Sequence, residues 1–218
     1  MKTLIFDLGM VLVDFRWKAF LEDLGYDEDQ VENLAGAVFK NPLWQQFDWG
    51  IMGDENVLAQ MKLEAPKYET DIERIWDNFR YVCQPYSYSE ELIRTLHEKG
   101  YKIYFLSNYG ETLFHRGKQD YAFFKYLDGG VFSYEVQQMK PNDDIYQTLL
   151  DRYQKTRLLC RLKHVSAEIT ILAKLRQLHL TSVLRKEFGF YFNIFFFAKI
   201  LCEFPSVSNR HSKSSSPG

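Results

Sequence analysis

Four polar side chains stand where apolar segments end, and their types suit the transfer of a phosphoryl group. Asp7 follows the run "TLIF", Ser107 and Asn108 follow "YKIYFL", and Lys140 precedes Pro141 and a stretch with helix-opening signals. A carboxylate at the C-terminal end of a parallel strand faces the crevice in which open α/β sheets bind ligands; its competing use is to cap a turn. A hydroxyl and an amide at a second strand end can hold a phosphate or fix a loop. A lysine on a loop stiffened by proline, beside the free N–H groups of a helix start, suits an anion, whereas a lone lysine is by default a solvated surface charge. Singly these residues say little. Together they supply a nucleophile, a cation and hydrogen-bond donors, which are the parts that phosphoryl transfer needs.

The surrounding segments predict how such residues could meet. "TLIF" (3–6) reads as a buried strand, and "MVLV" (10–13) continues the apolar character across Asp-Leu-Gly. Residues 15–83 read as all-helical. "WKAFLEDL" stops at Gly25, and "DEDQVENLAGAVF" opens with acids suited to a helix N-terminus and breaks at Asn41-Pro42. A turn spans Gly50 to Gly53, with Asp54 as the cap of the next helix. A further helix over 71–81 places Ile72, Ile75, Trp76 and Phe79 on one face. Beyond residue 84, Ser89 and Gly100 bracket a helix that leads into "YKIYFLSN". "GGVFSYEV" (129–136) reads as another strand, and "MKPNDDIYQTLLDRY" as a loop and a helix. Short apolar strands alternating with helices indicate an α/β fold built on a parallel sheet.

The chain has 218 residues, with 46 % hydrophobic and 26 % charged side chains and a formal net charge of -2. That is a soluble composition with room for one core and a smaller insert. Three separated cysteines without a C-x-x-C pair, and an acid within the short N-terminal apolar run, predict a reduced cytoplasmic protein without a signal peptide. The mean charge conceals a division. Residues 1–154 hold 26 acids against 16 Lys and Arg, while residues 155–218 hold 3 against 11. Residues 155–204 run from basic to aromatic-rich, and the Ser-rich tail 205–218 has a disordered composition. The basic part, 155–186, can be drawn as a helix carrying Leu172, Leu175 and Leu178 on one face, but no nucleic-acid motif accompanies it. The run 188–202 contains Asn193 and Lys199 and is short for a membrane span. Neither a nucleic acid nor a membrane is expected as partner.

Taken in order, "IFDLGMVL", "FLSNYG" and "MKPNDDIY" resemble the first three motifs of the haloacid dehalogenase-like hydrolases, closest to the small-molecule sugar phosphatases that carry a helical cap after the first motif. The resemblance covers about residues 1–154. It implies a Rossmann-like core over 1–14 and 84–154, a helical cap over 15–83, and hydrolysis of a small phosphorylated metabolite through an aspartyl phosphate, with Mg2+ as cofactor. By this resemblance Asp7 is the nucleophile, the Gly9 backbone carbonyl joins Asp7 as a metal ligand, Ser107 and Asn108 bind the phosphoryl group, and Lys140 neutralises nucleophile and phosphate. Arg16, Trp44 and Trp49 are the candidates to line the substrate cleft, with aromatic packing between cap and core as the preferred alternative for the tryptophans.

Two departures accompany the resemblance. The general pattern has a second aspartate where Gly9 stands, which leaves the acid-base role unassigned; Asp14, although near in sequence, is not given it. The fourth motif should end an apolar strand in acids that hold the metal, yet the expected region "CRLKHVSAEITILAKLRQ" has only Glu168. The composition break at residue 155 predicts that family sequence stops there, as an altered reading frame would produce. The alternative function is an inactive homologue that serves as an interaction protein.

Overall fold

The computed structural model describes residues 3–153. The chain enters through β1 (Thr3–Phe6) and β2 (Val13–Phe15), then forms five helices: α1 (Trp17–Asp23), α2 (Glu28–Ala37), α3 (Leu43–Trp49), α4 (Asp54–Glu64) and α5 (Glu69–Asp77). It returns through β3 (Cys83–Pro85) to α6 (Ser89–Glu98), β4 (Lys102–Ser107), α7 (Glu111–Gly117), β5 (Gly129–Phe132), α8 (Ser133–Val136) and α9 (Asp143–Arg152).

The sheet has the order β1-β4-β5, with both pairs parallel. Parallel strands are covered on both faces, which is why β1 is buried along its whole length. Ile5, Tyr104, Leu106 and Val131 meet Ile145, Leu149 and Leu150 of α9. The alternate residues, among them Phe6, Ile103, Phe105 and Phe132, belong to the larger core shared with the helical insert. The two connections between sheet and insert run side by side as the antiparallel pair β2–β3, with Asp14 opposite Gln84. A two-stranded strap therefore closes off the helical stretch, taking in only its end residues Phe15 and Cys83.

Other expectations meet local corrections. "MVLV" does not extend the first strand. Met10 has φ +58, and the amides of Val11, Leu12 and Val13 all donate to the Leu8 carbonyl, which folds the run into a turn before β2. The helix foreseen over 71–81 is α5 followed by a 3-10 turn at Phe79–Tyr81, and Ile72, Ile75, Trp76 and Phe79 are buried as its pattern required. "GGVFSYEV" divides into β5 and α8. Asp54 and Ser89 each begin a helix without capping it. Their side chains bind elsewhere: Asp54 accepts from the Thr112 amide at 2.7 Å, and the Ser89 hydroxyl donates to the Leu12 carbonyl at 2.7 Å. Asp27 does cap α2, through a reciprocal capping box with Gln30.

Among the described residues no helix is long and apolar enough to cross a membrane. The segments 155–204 and 205–218, with Glu168, Cys160 and Cys202, lie outside the described residues.

Candidate active site

Strand register brings the polar ends together. Phe6 pairs with Phe105 and Ser107 with Phe132, so Asp7, Ser107 and the residues after β5 leave the sheet along one edge. Asp7 Oδ1 accepts from its neighbour's Leu8 amide at 2.9 Å and from the Ser107 hydroxyl at 3.1 Å. Asp7 Oδ2 pairs with Lys140 Nζ at 2.5 Å, and Lys140 Nζ also donates to the Leu106 carbonyl at 3.0 Å. Asn108 fixes the loop that delivers this lysine. Its amide donates to the Lys140 carbonyl at 3.0 Å, and its Oδ1 accepts from the Lys140 amide at 2.9 Å. Both groups of the Asn108 side chain thus serve the loop, the second of the two uses open to it in the sequence. The pair is partly buried, with side-chain exposures of 15 % for Lys140 and 25 % for Asp7, so that a ligand can still reach it.

Opposite this edge sits the turn from α3 to α4, seated on the loops after β4 and β5. The Trp49 indole donates to the Gln137 carbonyl at 2.8 Å, and the buried Ser133 hydroxyl donates to the Asp48 carbonyl while accepting from the Tyr109 amide. The Phe47 ring lies where a Cβ on Gly110 would stand, and Gly50 lies against the Tyr134 backbone. Trp44 joins Phe15, Phe39, Phe47 and Phe79 in an aromatic cluster whose members all lie within residues 15–83. Its indole N–H also reaches the Asp48 carboxyl, which accepts from the Gly110 amide as well. Arg16 pairs with Asp23 at 2.6 Å and donates to the Tyr81 carbonyl.

A family model of haloacid dehalogenase-like hydrolases matches residues 1–160. The chain belongs to this family. Among solved structures, this haloacid dehalogenase-like hydrolase is similar to a family enzyme of Bacteroides thetaiotaomicron in complex with magnesium and inorganic phosphate. The TM-score is 0.55 at 20 % identity, over 71 % of this chain and 79 % of that one. It is also similar to L-2-haloacid dehalogenase of Xanthobacter autotrophicus with chloropropionic acid covalently bound, with a TM-score of 0.50 at 14 % identity over 69 % and 64 % of the two chains. At these identities the likeness shows the fold. No curated protein matches the chain.

For a magnesium ion, the described part of this hydrolase offers the Asp7 carboxylate and the Gly9 carbonyl. The hydrogen bonds of the turn after Asp7 end on the Leu8 and Val13 carbonyls and leave that of Gly9 unused by them. These are two of the about six oxygens that magnesium takes, and the Asp7 carboxylate already accepts from Leu8, Ser107 and Lys140. Among the described residues no group of three or more acids, imidazoles or thiols could hold a metal.

Sequence reasoning missed Asp48 and Ser133. Asp48 lies in "LWQQFDWG", a single acid among aromatic residues, and that was the available signal. The residue is partly buried, with its carboxyl deep among protein atoms but not sealed from solvent. Burial is the main cause that pushes its pKa up to about 7; Asp54 adds to the rise, while Lys140, Gly110 and Trp44 oppose it. The unfolded chain releases this proton in the ordinary carboxyl range near 3.8, so between the two values the folded form binds more protons and rising pH weakens the fold. Asp48→Asn removes this effect. Its thermal midpoint is expected to gain on wild type by several degrees between about pH 5 and about pH 8, and parallel melts over that range check it. Cys83, by contrast, is a buried thiol pushed up to about 12 by burial, which suits packing and not nucleophilic chemistry.

Proposed function

We propose that this protein hydrolyses a small phosphate monoester, a sugar phosphate being the leading class, with Asp7 as nucleophile. One observation carries the reading: the Asp7 carboxylate stands at a strand end, held on one oxygen by the Ser107 hydroxyl and on the other by the Lys140 ammonium. A phosphate monoester brings up to two negative charges, and a hydroxyl from a second strand end and a cation from the loop before α9 suit its oxygens. Asp7 attacks phosphorus and becomes an aspartyl phosphate, which water then cleaves. Lys140 offsets charge on nucleophile and phosphate, Ser107 donates to a phosphoryl oxygen, and Asn108 keeps the lysine loop in place. Magnesium held by Asp7 and the Gly9 carbonyl would supply further positive charge to the phosphoryl oxygens. The turn 49–53, with the exposed side chains of Ile51 and Met52, overhangs this edge and is where selection of the substrate's organic part is assigned. A cytoplasmic setting belongs to the same proposal.

The test is phosphate release by the full chain from a panel of sugar and alkyl phosphates, with magnesium and with a chelator, beside chloride release from 2-chloropropionate. Phosphate release that needs magnesium is expected. Chloride release without phosphate release would assign attack at carbon instead, and silence in both would leave a binding protein.

A further inference from the structure

Resting on the phosphatase reading, one role is still without a residue. An alkoxide leaves phosphorus poorly unless it is protonated, and the water that cleaves an acyl phosphate must give up a proton. Gly9 carries nothing that titrates. Crowding does not demand this glycine, since a Cβ there would meet no atom within 4 Å, and its φ is not positive. We propose that Asp48, at the C-terminal end of α3, is the general acid and general base of the reaction, reaching the phosphoryl site from the helical insert.

Placement supports this first. The segment from Phe47 to Asp54 is seated on both strand-end loops that carry the site. Asp48 accepts from the amide of Gly110, two residues beyond Asn108, and its own carbonyl is held by Ser133 just after β5. Its carboxyl lies within the field of the Lys140 ammonium, which pairs with the nucleophile. Other acids are placed differently: Asp14 accepts from Tyr86, Asp54 from the Thr112 amide, and Asp143 is an exposed residue of α9. The charged and titratable groups around Asp48 are Lys140 before α9, Asp54 on α4 and the Cys83 thiol on β3. On α8, which packs against α3, Glu135 pairs with Arg152 and Tyr134 is held un-ionised by burial. A proton held to about 7 suits a group that must both give and take it near neutrality.

In the first half-reaction an Asp7 oxygen bonds to phosphorus and the phosphorus–ester oxygen bond breaks. The Asp48 carboxyl proton passes to the departing oxygen, which leaves as the alcohol. In the second, a water oxygen bonds to phosphorus while one of its protons passes to the Asp48 carboxylate. The bond between phosphorus and the Asp7 oxygen breaks, orthophosphate leaves, and both carboxyl groups return to their starting states.

The experiment compares full-length wild type, Asp48→Asn, Trp44→Phe and Asp7→Asn on p-nitrophenyl phosphate, whose leaving group needs no proton, and on an alkyl phosphate. For Asp48→Asn the expected result is a stoichiometric burst of nitrophenolate followed by slow turnover. Its alkyl phosphate hydrolysis should fall by about 10²–10⁴-fold and lose the alkaline limb of the pH profile. Trp44→Phe keeps the ring but removes a donor that favours the Asp48 carboxylate, so the alkaline limb should move to higher pH. It decides the matter if Asp48→Asn does not fold. Alkyl phosphate hydrolysis within a few-fold of wild type by folded Asp48→Asn, or an unmoved limb in Trp44→Phe, overturns the assignment. Asp7→Asn as active as wild type overturns the phosphatase reading itself.

Discussion

Asp7→Asn is expected to lower phosphate release by at least about 10³-fold while the chain still folds. The amide has nearly the shape of the carboxylate, so the Leu8 amide and the Ser107 hydroxyl keep an oxygen to bond, and Lys140 keeps the Leu106 carbonyl. What is lost is the anionic oxygen that attracts the lysine at 2.5 Å and that, in the proposed reaction, would attack phosphorus. Leaving a partly buried ammonium beside a neutral amide costs some stability, about 1–3 kcal/mol. Phosphate assays and a thermal melt on the same preparation separate the two effects: a collapse in rate with only a modest fall in melting temperature is the expected pattern. Rates unchanged within a few-fold would remove Asp7 from the chemistry.

Gly50→Ala is expected to cost about 2–4 kcal/mol and to slow turnover as well. Gly50 ends α3 in the left-handed region, with φ +73, and a Cβ there would lie 2.7 Å from the Tyr134 Cα and 2.9 Å from its carbonyl oxygen. Backbone cannot swing aside as a side-chain tip can, so the turn must lift away from the loop after β5. Gly25 is the internal comparison. Its φ is +89, yet a Cβ there would meet nothing within 4 Å, so Gly25→Ala carries only the conformational cost, about 1 kcal/mol. Chemical denaturation of the two variants isolates the seating of the insert on the sheet as the difference. Equal losses would show that the contact with Tyr134 contributes nothing.

Local signals made much of this fold legible. "TLIF" and "YKIYFL" read as buried strands, and the parallel arrangement that follows from strand–helix alternation puts their C-terminal ends on one edge. That makes Asp7, Ser107 and Asn108 legible as one group, which Lys140 joins from the loop before α9. Two uses of Asn108 were open, and its reciprocal bonds to the Lys140 main chain are the part that only the structure supplies. Helix starts were less legible. An acid or serine at a helix boundary reads as a cap, but Asp54 and Ser89 bind backbone groups far along the chain, a competition no local pattern encodes. Asp48 was illegible for the same reason. On a short helix an acid is by default a solvated charge, and its meaning comes from Gly110 and Lys140, which folding brings to it.

The most direct measurement is of the covalent intermediate. The full 218-residue protein is mixed with p-nitrophenyl phosphate, quenched in acid during turnover and digested, and the peptide containing Asp7 is analysed by mass spectrometry. One phosphoryl group on Asp7 is expected, removed by hydroxylamine and absent from Asp7→Asn. Turnover with an unmodified Asp7 at every quench time, or with the phosphoryl group on another residue, would contradict it.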